Sequence, residues 1–263
     1  MQFFWRLVSV SFRQETTYRT AMWAGLATNL FFGLLKAALI TALYAGKGEV
    51  NALSFGGAIT FVGLTQALIA FHRLFGSTDL MTTVYSGQVA TDLLRPVGLY
   101  PFWMARELGR SLFNLMGRGI LYMVFFRMFF PLQFPCSLLQ WMTFMISVSL
   151  AWFVSFSWNF LVNLVSFWTT DGRGVARIAY TLSQFLSGFI MPLALLPDWF
   201  SRLCSWTPFP AIVNTPVEVY LGMHHGSELI WLLVLQVVWF LVLAGVGHLV
   251  LQAGLRRLVI QGG

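Results

Sequence analysis

The chain has 263 residues, 58% of them hydrophobic and only 10% charged, with a mean hydropathy of +0.75. That is too little charge to cover a water-soluble domain, so the composition excludes one and points to an all-α integral membrane protein, a single transmembrane bundle over 1–263. The net charge of +7 comes without a long basic tail, so it argues for no nucleic-acid partner and reflects where the arginines sit relative to a bilayer.

Residues 1–19 read as an amphipathic helix lying on the membrane, with Phe3, Phe4, Leu7, Val8, Val10 and Phe12 interleaved with Arg6, Arg13, Glu15 and Arg19. The arginines interrupt any signal-peptide core, so the first span is expected to act as its own insertion signal. Apolar runs of ~20 residues can cross ~30 Å of hydrocarbon at 1.5 Å per residue. They recur over about 21–45, 55–75, 111–130, 138–168, 180–197 and 228–252, giving six transmembrane helices. Trp23 and Tyr44 suit interface anchors of the first span. Gly46–Ala52 and Pro131–Ser137 are short loops. Segment 76–100 holds Asp79, Asp92, Arg95 and Pro96 and is too polar to span; Arg106, Glu107 and Arg110 follow, so the third helix is expected to begin outside the bilayer. The fourth span is longer than a bilayer needs and must tilt or project. Thr169–Ala179 reads as a polar loop, and the fifth span is short and broken at Pro192. Segment 198–227 reads as re-entrant short helices dipping into the outer interface.

Twelve arginines, from Arg6, Arg13 and Arg19 to Arg256 and Arg257, flank one side of these spans; Lys47, Arg127 and Arg202 flank the other. The positive-inside bias then puts both termini in the cytoplasm, as an even number of spans also requires. All nine acidic residues fall in loops, flanks or span ends. Paired intramembrane carboxylates, HExxH, GxSxG and the phosphate-cradling GxxxxGK[ST] loop are all missing; Gly46-Lys47-Gly48 is not such a loop. The chain is therefore expected not to be an enzyme and to bind no metal or cofactor. Uphill transport would draw its energy from another subunit.

Several residues invite both a structural and a functional reading. Lys36 lies deep in the first span, either snorkelling or pairing between helices, or facing a wet cavity. In the fourth span Ser147, Ala151, Ser155, Asn159 and Asn163 recur every four residues, a slanting ridge that suits close helix contact or a polar strip along a substrate path. Asn29, Gln66, Gln184 and Ser187 invite the same two readings. Cys136 and Cys204 both fall in outer segments, where a disulfide or two free thiols would fit. Segment 87–96 reads GQVATDLLRP: Leu93 and Leu94 are apolar, Asp92 can charge or cap a turn, and Pro96 stops the helix. It suits an interfacial helix, or a peg for a soluble partner.

The run Gly87-Gln88-Val89-Ala90-Thr91-Asp92-Leu93-Leu94-Arg95-Pro96 resembles a G…LLRP signature of the type-two ABC exporter permeases, in the branch near daunorubicin and viologen exporters. Phe185-Leu186-Ser187-Gly188, Met191-Pro192, Leu196-Pro197, Pro208-Phe209, Pro216, Tyr220-Leu221-Gly222, Gly254-Leu255-Arg256-Arg257 and Gln261-Gly262-Gly263 follow in the family's order. The resemblance implies a cytoplasmic coupling helix between spans two and three, built on Gly87, Asp92, Leu93, Leu94, Arg95 and Pro96. It also implies two permeases, identical or paralogous, on a dimer of ABC ATPase subunits that use ATP and Mg, in a prokaryotic plasma membrane. Export, rather than import, comes from the resemblance alone. Lys36, Gln66, Asn159, Asn163, Gln184 and Ser187 are the candidate substrate-pathway residues. The alternative is a membrane scaffold or secondary transporter with no nucleotide-hydrolysing partner.

Overall fold

A computed structural model describes residues 2–45, 49–50 and 53–257. Most of the Gly46–Ala52 loop and the terminal Gln261-Gly262-Gly263 lie outside the described residues. Helix α1 (Gln2–Glu15) precedes α2 (Arg19–Leu43), a two-residue antiparallel pairing of Glu49–Val50 with Leu53–Ser54, and α3 (Phe55–Leu68). Two short helices, α4 (Asp79–Tyr85) and α5 (Val89–Leu93), lead to α6 (Leu99–Phe129) and α7 (Leu138–Phe167). Then come α8 (Arg173–Leu186), α9 (Asp198–Ser205), α10 (Asn214–Leu221) and α11 (Gly226–Leu255). Among the described residues four helices, α2, α6, α7 and α11, are long and apolar enough to cross a membrane; α3 is apolar but shorter.

Burial ranks these helices. Helix α3 is enclosed from Gly57 to Leu68, as expected of a helix apolar on every side. Helix α7 is the most buried of the four long helices, whereas α11 turns most of its surface outward through residues such as Ile230, Trp231, Leu241 and Leu249. Polar groups at membrane depth must find protein partners, because hydrocarbon offers none. The α7 ridge does so. Ser147 Oγ donates to Gln236 Oε1 at 3.0 Å, and Gln236 Nε2 donates to the carbonyls of Ser147 at 3.1 Å and Ala211 at 2.8 Å. Buried Gln236 thus pins α11 to α7 and to the segment entering α10. Helix α1 docks along α6 at Gly109, where a Cβ would overlap the Val8 carbonyl oxygen and crowd Ser11.

Two expected segments take a different form. The second, 55–75, is helical only to Leu68; the chain then turns, with Arg73 at φ +45° and Gly76 at φ +72°. The fifth, 180–197, is not one helix. Helix α8 begins at Arg173, inside the expected polar loop, and ends at Leu186; Gly188, at φ +80°, and a 3₁₀ turn at Leu193–Leu195 follow. The reason is amphipathic spacing: Ala176, Tyr180 and Ser183 face inward while Val175, Ile178, Leu182 and Phe185 are exposed, so the arginines of the loop belong to the helix. The third helix begins at Leu99, ahead of the span expected from 111, as Arg106, Glu107 and Arg110 led one to expect, and carries a π-helical turn at Leu115–Ile120. Both cysteines are free, Cys136 exposed and Cys204 buried, so no disulfide joins them.

Candidate functional site at the arginine-rich end

Helix α5 is anchored at its start and displayed at its end. Val89 is fully buried, in one apolar cluster with Leu80, Leu99, Phe102 and Trp103. Gly87 takes φ +73°, a conformation that favours glycine, and lets the chain reverse from α4 into α5. Leu93 and Leu94 then project outward; Leu94 is 87% exposed, among the most exposed large apolar side chains described. Arg95 lies over the Phe102 ring, 4.5 Å from its centroid, and pairs with Asp92 at 3.3 Å. Asp92 is buried rather than presented beside the leucines; burial raises its carboxyl above the usual range, and Arg95 and Arg106 oppose that rise. Pro96 is exposed where the chain turns toward α6.

An ion-pair network holds the start of α4, ahead of this turn, against the bundle. Arg110 on α6 bonds Asp79 at the start of α4 and lies 3.4 Å from Glu15 at the end of α1. Arg73 pairs with Glu107 of α6 at 2.6 Å. Burial pushes the Asp79 carboxyl upward, but Arg110 and Arg73 outweigh it and hold the group below its ordinary value. Asn163 of α7 completes the support. Its Oδ1 accepts the Met81 backbone N–H at 3.2 Å, one of the first-turn donors of α4 that has no partner within the helix, while Thr78 makes no side-chain cap. Its Nδ2 donates to the Ser77 carbonyl at 2.6 Å and contacts the Tyr180 hydroxyl at 3.2 Å. Tyr180 itself donates to the Ser77 carbonyl at 3.0 Å.

The remaining candidate pathway residues separate. Asn159 is buried, with Nδ2 3.4 Å from the Arg73 carbonyl, and so belongs to the same support as Asn163. Gln66 is buried in α3, and its carbonyl accepts from Asn29 at 3.2 Å. Ser187 is fully buried; its hydroxyl donates to the Gln184 carbonyl at 3.2 Å and accepts from the Phe189 N–H at 3.4 Å. Lys36 donates to the Phe189 carbonyl at 2.6 Å and sits 3.6 Å from that ring's centroid, tying α2 to the turn after α8. Gln184 alone of the six lines a sizeable cavity, of about 580 Å³, together with Arg73, Gly76, Asp79, Arg173, Arg177 and Tyr180. A second cavity, of about 280 Å³, shares Arg73, Phe75 and Gly76 with it and runs between α2 and α6 past Asn29 and Arg118. The ion-pair network and Arg118 carry no spacing signal, since each joins elements far apart in sequence. Among the described residues no group of three or more His, Cys, Asp and Glu side chains is arranged to hold a metal ion.

Residues 31–262 match the family described as ABC-2 family transporter protein. No curated protein matches the chain. With most of its length inside that match, and with long apolar helices fit to cross a membrane, the chain belongs to the ABC-2 family of membrane transporter proteins.

Proposed function

We propose that the chain is the permease subunit of an ATP-driven exporter, and that α5 with its two exposed leucines is where a separate ATPase engages it. The observation that carries this reading is a contrast within ten residues, Val89 fully buried and Leu94 almost fully exposed, on a segment whose start, Ser77 to Met81, is fixed to α6 and α7 by Arg110 and Asn163, with Glu15 of α1 on the same arginine. A lever must be stiff toward the spans and open toward its partner, and α5 meets both requirements. The family implies association with an ABC ATPase; on this reading that partner acts as a dimer and uses ATP with Mg at its own sites. The same reading has six crossings, with α3 and its following turn as the second and α8 with the turn to Pro197 as the fifth. Both termini lie in the cytoplasm of a prokaryotic cell, and α9 and α10 dip into the outer face. A second permease, identical or paralogous, completes the pathway, and the motifs favour the branch near daunorubicin and viologen exporters. ATP-driven closure of the ATPases would push α5, and the network behind it would turn that push into a hinge motion of α6 and α7.

The test is purification of the full chain from its native membrane. An ABC ATPase should co-purify, and Leu93→Ala with Leu94→Ala should release it or leave its hydrolysis insensitive to the permease. A preparation that carries no ATPase, and whose transport follows an ion gradient, would replace this reading with that of a secondary transporter.

A further inference from the structure

We propose that the cavity beside Arg118 is a binding site for the anionic head of an amphiphile, a phosphate or carboxylate on an apolar tail; as the class of cargo, this rests on the permease reading above. Arg118 lies on α6 eight residues beyond Arg110, about 12 Å further along the helix. Its Nε is buried with no hydrogen-bond partner, and Nη2 has only the Asn29 Oδ1 at 3.4 Å. No carboxylate among the described residues pairs with it. The other charges around this cavity are already matched, Glu15 with Arg110 and Arg73 with Glu107. The site therefore holds one uncompensated cation with open donors.

Two local features make room for that guanidinium. A Cβ on Gly25 of α2 would overlap the Arg118 Cζ, so only glycine permits its position there. The π-helical turn Leu115–Ile120 places Arg118 on a widened turn of α6, an irregularity frequent at functional sites. A guanidinium offers five N–H donors in a planar fork that matches carboxylate and phosphate oxygens. The buried Nε of Arg118 has lost water without gaining a partner. The apolar walls, Met22, Ile69, Phe75 and Phe113, suit a hydrocarbon tail. The adjoining cavity adds Arg173 and Arg177, neither in an ion pair with a described carboxylate, so the positive character extends through the shared wall at Arg73 and Gly76.

A transported amphiphile and a bilayer phospholipid both offer this chemistry, and the experiment separates them. Full-length protein in nanodiscs of phosphatidylcholine is titrated calorimetrically with dodecyl phosphate and with dodecyltrimethylammonium. Saturable binding of the phosphate, and none of the ammonium, is expected. Arg118→Gln should weaken the phosphate at least tenfold, Arg118→Lys less, and Gly25→Ala should weaken it by displacing the guanidinium; Gly25→Ala also serves where Arg118→Gln fails to insert. Repeating the titration with phosphatidylglycerol in the disc assigns the site to bilayer lipid if apparent affinity falls in proportion to that lipid, and to a soluble amphiphile if it holds. Equal affinity of wild type, Arg118→Gln and Gly25→Ala for dodecyl phosphate would overturn the proposal. ATPase co-purification is scored on the same samples: its absence with binding intact sinks the permease reading alone, and its presence with binding unaffected by the variants sinks this site alone.

Discussion

Replacing Asn163 with alanine should loosen the coupling segment from the bundle without touching any cavity of useful size. The side chain caps α4 from another helix: it accepts the Met81 N–H and donates to the Ser77 carbonyl. In Asn163→Ala the Ser77 carbonyl keeps the Tyr180 hydroxyl at 3.0 Å, but the buried Met81 donor keeps nothing. An orphaned buried donor costs about 1–3 kcal/mol. At roughly 2–4 °C per kcal/mol for a chain of this order of size, a central cost of about 2 kcal/mol lowers the unfolding temperature by about 4–8 °C. Cys204, buried and free, provides the readout in a Cys136→Ser background: a fluorogenic maleimide reacts with it only as the fold opens. Tyr180→Phe alone should be milder, because Asn163 still serves the Ser77 carbonyl. The double variant should cost more than the sum of the two, since that carbonyl then loses both donors. Wild-type melting of Asn163→Ala, with transport altered, would refute the supporting role and return Asn163 to the substrate path.

Two further outcomes concern α10 and α11. His224 Nε2 lies 3.2 Å from Glu218 on α10 and Nδ1 lies 2.9 Å from Glu228 on α11. The hydrogen bond to Glu218 raises the imidazole above its usual 6.5, against the effect of burial and with help from Glu228. A raised folded value means that the stabilisation is complete below about pH 6.5 and is lost as pH climbs through the raised value. Melting temperatures should therefore fall over that climb, and His224→Gln should flatten the fall; parallel profiles for the two proteins would contradict it. Gln236→Leu should lower stability by about 1–2 kcal/mol, because the Ser147 hydroxyl and Ala211 carbonyl lose their partner. Combined with Ser147→Ala the loss should be less than additive, and strict additivity would deny the pairing.

The all-helical character and the four long helices were legible because hydrocarbon admits few alternatives, and length with hydropathy identifies them. The α7 ridge was legible as a pattern: spacing by fours isolated Ser147, Ser155, Asn159 and Asn163. What the ridge faces was not, since Gln236, the Arg73 carbonyl and the Ser77 carbonyl come from distant parts of the chain. The end of α3 at Leu68 was hidden because the turn after it is as apolar as the helix, with Ile69, Phe71 and Leu74 buried. The start of α8 was hidden for the opposite reason: Arg173 and Arg177 made an amphipathic helix look like a loop. Arg118 was counted with the flanking arginines, since its place in the sequence does not show that its guanidinium turns to Asn29 of α2. Asp92 was read as charging or capping a turn, and only the fold shows that it is buried.

The central claim is that Leu94 faces the cytoplasm and is covered by an ATPase. Leu94→Cys in the Cys136→Ser background, labelled in inside-out vesicles with a membrane-impermeant maleimide, tests it most directly. The account predicts rapid labelling when the permease is alone, at least tenfold slower labelling once the ATPase that co-purifies with it is bound, and no labelling from the outer side of intact cells. Labelling from the outer side, or an unchanged rate with the ATPase bound, would contradict it.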